Sequence, residues 1–325
     1  MEPLPRGANF MRAQFLWEIG LHIAGNPDTP YYGNRDLCIS VGSGSGAAYR
    51  PWLRMATGSP VLAHAVARGE LDCAIINPSA MLTQAYRGTG LFAEALPLRI
   101  VANYPSWDRF AFVVHPRTGI SSLAQIRDRR YPLRLSTRED ATHSTRGLID
   151  QTLALYGFTL AELESWGGSL QLNGGPGDRR RMDALKAGTI DAIFDEGLAL
   201  WLDEALAAGM RPVTLEPQIF AKLAEMGWRR VVIPTGLYRG LEAEYACIDY
   251  SGWPLYARAA LPDEHAYKIC DAIHAREAEI YWEDSNGWAP HAGMGPLGQE
   301  TEATPRDVPL HPGAARWFRE HGFEV

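Results

Sequence analysis

Apolar residues along this chain alternate between short continuous runs and longer stretches at helical spacing. Arg109 to His115 (Arg-Phe-Ala-Phe-Val-Val-His) predicts a strand, Pro116 to Gly119 a turn, and Ser121-Ser122 a cap for a helix over Leu123 to Arg127. Thr142 to Tyr156 places Leu148, Thr152, Leu155 and Tyr156 on one helical face and stops at Gly157. Further on, Pro254 to Arg258 predicts a short strand, Asp263 to Ile280 a helix, and Arg306 to Phe323 a final exposed segment. Near the N-terminus, Phe10 to Ile23 mixes Arg12, Glu18 and His22 with apolar residues as an amphipathic helix does.

The most informative pattern is internal. Residues 64 to 79 contain a helix end, a glycine, an aspartate just before an apolar run with an Ala-Ile pair, and a polar tip; residues 183 to 197 repeat the arrangement. Gly69 to Gly188 and Asp72 to Asp191 span the same interval, so the copies keep register. Each glycine supplies the left-handed residue that ends a helix, and the apolar run after each aspartate predicts a short buried strand. Those strands end in Asn77-Pro78-Ser79 and Asp195-Glu196-Gly197, residues that a core does not favour. In open α/β sheets, ligands bind beyond the carboxyl ends of strands. Two such tips therefore predict two similar α/β lobes with a cleft between them.

Composition narrows the function classes. The 325 residues are 46% hydrophobic and 21% charged, enough apolar material for two cores, and the net charge of −7 leaves no basic excess for phosphates. Nucleic acid is not an expected partner. No window approaches the roughly 18 consecutive apolar residues of a membrane span, so no membrane insertion is expected. The start has no basic region followed by an apolar one, so the expectation is a cytoplasmic protein as written and a periplasmic one if the native start is misread. Cys38, Cys73, Cys247 and Cys270 have no CxxC spacing and read as reduced structural thiols.

Candidate chemistry is sparse. Thr142-His143-Ser144-Thr145 opens a helix with hydroxyls beside free backbone N–H groups, either to hold an anion or simply to cap through Thr142 or Ser144. The run Arg179-Arg180-Arg181 follows a Gly/Pro turn and reads as a solvated helix start. HExxH, GxSxG and GxxxxGK[ST] are missing from the sequence, and the histidines other than His143 lack paired ligand spacing. No metal and no cofactor is expected. His143, Asp195 and Glu196 are the groups an enzyme on this fold would use as acid, base or ligand.

The pieces "ATGSPVLAHAVARGELDCAIINPSA", "FAFVVHPRTGISSLAQIRDRR", "ALKAGTIDAIF", "VVIPTGLYRG", "ARAALPDEHAYKICDAI" and "VPLHPGAARWFRE", in this order, resemble the TAXI-type solute-binding subunits of tripartite ATP-independent (TRAP) transporters. The resemblance covers roughly residues 36 to 320. It implies the type II periplasmic-binding-protein fold, two Rossmann-like α/β lobes joined by crossover strands, here Phe110 to His115 and Pro254 to Arg258. Residues 1–112 and 254–325 would form a discontinuous first lobe and 113–253 the second, with hinge closure on the ligand.

Matched position by position, "VGSGSGAAY" brings Ser43, Ser45 and Tyr49 as ligand contacts, and the first-lobe tip brings Asn77 and Ser79. "YPSWDR" places Tyr104 and Trp107 as walls of the pocket; "ATHSTRG" brings His143, Ser144, Thr145 and Arg146, and the last tip Asp195 and Glu196. Two adjacent acids depart from the family, which is usually neutral there, and would repel a simple dicarboxylate unless a metal or an amino group offsets them. The implied function is capture of a small polar organic ligand carrying a carboxylate, with a membrane permease as partner if the chain is exported. The alternative is a cytoplasmic decarboxylase- or lyase-like enzyme acting on a small organic acid.

Overall fold

The computed structural model describes residues 38–43, 50–57, 60–280 and 300–325, together with 19, 20 and 22. The expected helix over Phe10 to Ile23 otherwise lies outside the described residues, as do Ser45 and Tyr49. The strands are β1 (Cys38–Ser43), β2 (Arg50–Thr57), β3 (Cys73–Ile75), β4 (Leu98–Tyr104), β5 (Arg109–Val114), β6 (Arg134–Arg138), β7 (Ser169–Asn173), β8 (Ala192–Asp195), β9 (Arg211–Pro212), β10 (Arg230–Ile233), β11 (Tyr245–Asp249) and β12 (Trp253–Arg258). They form two sheets, ordered β1-β2-β3-β12-β4 and β10-β11-β5-β8-β6-β7, with β9 beside β5.

The helices are α1 (Leu62–Ala67), α2 (Ser79–Arg87), α3 (Leu123–Asp128), α4 (Ser144–Leu155), α5 (Leu160–Ser165), α6 (Arg179–Lys186), α7 (Leu202–Ala207), α8 (Pro217–Met226), α9 (Asp263–Ala275) and α10 (Pro312–Glu320). Each sheet with its helices is one lobe of a two-lobed α/β protein. Among the described residues the chain passes between the lobes twice, at residues 105–108 and 250–252, and each passage delivers an antiparallel strand: β5 beside β8, and β12 between β3 and β4.

The internal repeat has a structural counterpart. In the first lobe Asp72 accepts from the Arg54 main-chain N–H at 2.7 Å, while the Arg54 guanidinium donates to the Gly69 carbonyl at 2.7 Å. In the second, Asp191 accepts from the Arg134 main-chain N–H at 3.2 Å, and the Arg134 guanidinium reaches Gly188 O at 3.2 Å. In both lobes the arginine stands on a strand parallel to the one that the aspartate precedes, β2 with β3 and β6 with β8. Gly69 (φ +77°) and Gly188 (φ +64°) take the left-handed conformation that lets the helix end and the chain turn back into the sheet. The repeat is therefore a clasp that sets the start of one strand against its neighbour.

Several local expectations hold. Ser122 caps α3 by accepting from the Ala124 N–H at 3.1 Å, and β5 and β12 occupy the two predicted strands. The segment 306–323 is not an exposed tail. It contains α10, whose Ala314, Trp317 and Phe318 are fully buried against α9, because their spacing puts all three on one helical face. Cys73, Cys247 and Cys270 are buried free thiols and Cys38 is exposed; burial pushes Cys73 and Cys270 up to about 12.

The lobes also share a core. Met81, Ala85 and Phe92 of the first lobe belong to one continuous apolar cluster with Leu148, Ile149, Leu223 and Trp228 of the second.

Candidate functional site

Strand register fixes which ends of the sheets meet. In the first lobe Tyr104 pairs with Trp253 and Ile75 with Leu255, so Asn77, Tyr104 and Trp253 share one sheet end. In the second, Arg138 pairs with Asn173, Asp195 with Ala111 and Asp249 with Arg109, so these residues share one end as well. Both passages between the lobes leave from these ends, and they are hydrogen-bonded side by side: Tyr250 N–H to Asp108 O and Gly252 N–H to Ser106 O, each 3.2 Å. The two sheets thus turn their polar ends toward each other, which is where the sequence places a cleft.

The lobes are in contact there. Ser144, the first residue of α4, donates its hydroxyl to the Asn77 main-chain carbonyl at 2.6 Å. Its oxygen also lies 2.5 Å from the Tyr250 hydroxyl, which in turn lies 3.1 Å from Thr145 Oγ1. Tyr250 and Thr145 have no exposed surface and Ser144 almost none. Burial raises the Tyr250 phenol, with the Ser144 and Thr145 hydrogen bonds and the Arg138 charge acting the other way, so it stays protonated at neutral pH. The helix cap is neither Thr142 nor Ser144 but His143, whose Nδ1 accepts from the Thr145 N–H at 3.2 Å. The reason is the extended backbone at His143 (φ −68°, ψ 142°), which points its ring back over the first turn and frees Ser144 to bridge the lobes.

The acidic tip is held by arginines. Asp195, fully buried, accepts from Arg181 Nη2 at 2.5 Å and faces Arg138 Nη2 at 3.5 Å. Glu196 forms an ion pair with the same Arg138 nitrogen, and its main-chain carbonyl accepts from the Trp201 indole at 2.7 Å. The charge of the two acids is thus offset within the protein by Arg138 and Arg181. Arg181 corrects the reading of residues 179–181 as a solvated start: Arg179 is exposed, but Arg181 is fully buried, with Nε on Ser136 Oγ (3.0 Å) and Nη1 on Pro176 O (2.9 Å).

Beside this tip Asp108 accepts from the N–H groups of Gly197 (2.8 Å) and Arg109 (2.7 Å). Burial pushes its carboxyl up to about 7, reinforced by the nearby Asp195 and eased by those two N–H groups and the Arg109 charge.

The remaining candidates divide between the two lobes. Asn77 is half-buried, with a buried Oδ1 that has no partner, and Ser79 packs inward, its Oγ accepting from Asn103 at 3.4 Å. Tyr104 stacks on Trp253 with centroids 5.1 Å apart, and Trp107 is buried. Arg146 donates from Nη1 to Arg138 O at 3.4 Å, while its Nε is buried without a partner. Ser43 lies within β1, at the far edge of the first sheet. Arg138, Tyr250, Asp108 and Trp253 were not singled out by the sequence. Their one legible signal is position, since each stands at the end of an apolar run.

Surface hollows lie elsewhere, one of about 410 Å³ beside Arg306–Leu310 and Arg319, another of about 310 Å³ beside Arg117 and Gly188, at the opposite end of the second sheet. Among the described residues no group of three or more His, Cys, Asp or Glu is placed to hold a metal, and no helix is long and apolar enough to cross a membrane.

Similar solved structures include a periplasmic transporter (14% identity, TM-score 0.36, 66% of this chain and 68% of that one). The periplasmic aliphatic sulphonate binding protein SsuA of Escherichia coli shares 13% identity at TM-score 0.34, over 68% of this chain and 58% of that one. A Xanthomonas citri protein bound to a chloride ion shares 13% at TM-score 0.38, over 80% and 78%. The family model gives a firmer assignment, since it spans residues 53–322, from β2 through α10 and both lobes: the chain belongs to the NMT1-like family.

Proposed function

We propose that this chain is a solute-binding protein of the TAXI type, which closes its lobes on a small polar organic ligand carrying a carboxylate and delivers it to a membrane permease. One observation carries the reading. Both lobes and the passage between them bring buried polar atoms without partners to the meeting ends: Asn77 Oδ1, Ser251 Oγ and Trp253 Nε1 on one side, Thr137 Oγ1, Arg138 Nε and Arg146 Nε on the other. Each such atom costs about 1–3 kcal/mol when desolvated and unpaired, so a cleft that collects them is built for a partner that supplies hydrogen bonds.

In this reading residues up to 104 and from 253 on move as one lobe and 109–249 as the other, with Asn77, Tyr104, Trp107, Arg146 and Glu196 bordering the ligand. His143, Ser144 and Thr145 shape the closed state rather than hold the solute. A periplasmic setting suits this role, as the names of the SsuA and periplasmic-transporter relatives suggest. The acid–base set His143, Asp195 and Glu196 has little support, because His143 Nδ1 is spent on capping and both acids are paired with arginines.

The test is native mass spectrometry of freshly purified protein before and after mild denaturation. Release of a small carboxylic acid, together with a smaller radius of gyration by X-ray scattering when it is added back, is the expected result. Protein that releases no small molecule and keeps its radius with every acid offered would overturn the reading.

A further inference from the structure

Arg138 occupies the end of β6 at the lobe boundary and is only 4% exposed. A guanidinium does not lose its proton in a protein, so a buried one needs an anion and acceptors for five N–H bonds. Here Nη1 donates to Gly174 O at 3.2 Å and Nη2 serves Glu196 and, at 3.5 Å, Asp195. Nε is buried and has no partner. The edge formed by Nε and Nη2 is one of those that grip a carboxylate in two parallel bonds, and in this state it holds Glu196 through Nη2 alone.

The two acids are not equivalent. Asp195 is fully enclosed and engaged by Arg181 at 2.5 Å, and its Oδ1 also accepts from the Glu196 N–H at 2.9 Å. The Glu196 side chain is 10% exposed against 0% for Asp195, which makes it the one that borders open space. Arg146, anchored on the Arg138 carbonyl, brings a second guanidinium whose Nε is also without a partner.

We propose that Arg138 is the anion-holding residue of the cleft and that Glu196 is its built-in counter-ion, displaced when the carboxylate of a ligand takes the Nε–Nη2 edge. The proposal rests on the cleft being the solute site. It makes binding an exchange of one anion for another: Asp195 stays with Arg181, Gly174 keeps Nη1, and Glu196 turns outward. The resting pair keeps the guanidinium compensated when no solute is present, and it sets a threshold that a neutral or cationic solute does not cross. Glu196 is then a competitor of the ligand, the opposite of a residue that recognises a positive group.

Titration calorimetry with acetate, succinate, glutarate and their amides distinguishes these roles in the full chain, with thermal melting to check folding. Replacing Glu196→Gln removes the competitor, and the carboxylates that bind are expected to bind about fivefold tighter or better, while the amides remain inert. Arg138→Gln is expected to weaken them at least about tenfold. Unchanged or weaker carboxylate binding by the Glu196→Gln protein overturns the exchange, and that variant decides alone should Arg138→Gln fail to fold. Absence of binding by every carboxylate to both the parent and the Glu196→Gln protein overturns it too. In that case release of a different small molecule from the purified protein leaves the solute-binding reading intact.

Discussion

The Ser144 hydroxyl donates to the main-chain carbonyl of Asn77 across 2.6 Å, joining the first turn of α4 to the tip of β3 in the other lobe. Because the same hydroxyl meets Tyr250, one side chain ties both lobes and the passage between them. Ser144→Ala leaves the Asn77 carbonyl and the phenol without that partner, which favours separated lobes by about 1 kcal/mol or more. X-ray scattering should give a larger mean radius for the variant than for the parent, and solute affinity should fall severalfold. An unchanged radius and affinity would assign this contact to a merely local role.

Arg181 is expected to be a folding requirement. Replacing it with Met strands the Asp195 carboxylate where it has no exposed surface, leaving Arg138 at 3.5 Å as its remaining cation. A loss of about 3–5 kcal/mol in urea unfolding follows from breaking a buried pair at one partner. Adding Asp195→Asn to the same chain should restore much of that loss. If the double variant is no better than the single one, the cost comes from packing around Arg181 rather than from charge.

On the apolar side of the lobe boundary, Gln151 accepts from the Trp228 indole at 2.6 Å and exchanges amide contacts with Gln84 at 3.2 and 3.3 Å. Gln151→Leu keeps the volume but leaves the Trp228 N–H and the buried Gln84 Nε2 without this acceptor, while Gln84 Oε1 keeps the Leu91 N–H. Stability should drop by about 1–3 kcal/mol, and the change in tryptophan emission should report the exposed boundary. A variant as stable as the parent would show that water or a shifted Gln84 replaces the amide.

Asp108 predicts a definite pH response. Its carboxyl lies at about 7 in the fold, against an ordinary value of about 3.9 in the unfolded chain. A group raised in this way gives its full contribution below about pH 4 and loses it as pH climbs through 7, where burial opposes the charge. Asp108→Asn keeps an oxygen for the Gly197 and Arg109 N–H groups and removes the titration. The variant should be more stable than the parent at pH 8, on the order of 2 kcal/mol, with the gap closing toward pH 5. A gap that does not vary with pH would mean that Asp108 stays charged throughout.

The sequence made the architecture legible where a local rule had one outcome. The Gly-x-x-Asp repeat, the apolar run of β5 and the Ser122 cap each follow from chain chemistry a few residues long, and they locate two lobes and their facing tips. The arginines were less legible. Arg54 and Arg134 complete the repeated clasp from other strands, 18 and 57 residues before their aspartates, and Arg181 sits two residues from the exposed Arg179 in a run of identical charge. Which member of such a run turns inward depends on the helical face and on Asp195 waiting behind it. The charge balance at the tip is likewise a tertiary fact, since Arg138 and Glu196 meet only once β6 and β8 lie side by side. The contribution of Ser144 was visible as a hydroxyl at a helix start, but its direction was not, because the backbone at His143 decides it.

The doubled passage between the lobes has a mechanical meaning. A single tether would let one body swivel freely about the other, whereas two chains bonded together at Tyr250–Asp108 and Gly252–Ser106 resist torsion and yield to bending. The clasps at Asp72 and Asp191 stiffen the sheet on either side, so the compliance concentrates in a strip a few residues wide. In the proposed reading such a body would open like a book along its spine, and solute would enter from the fore-edge, past Asn77 on one page and Glu196 on the other.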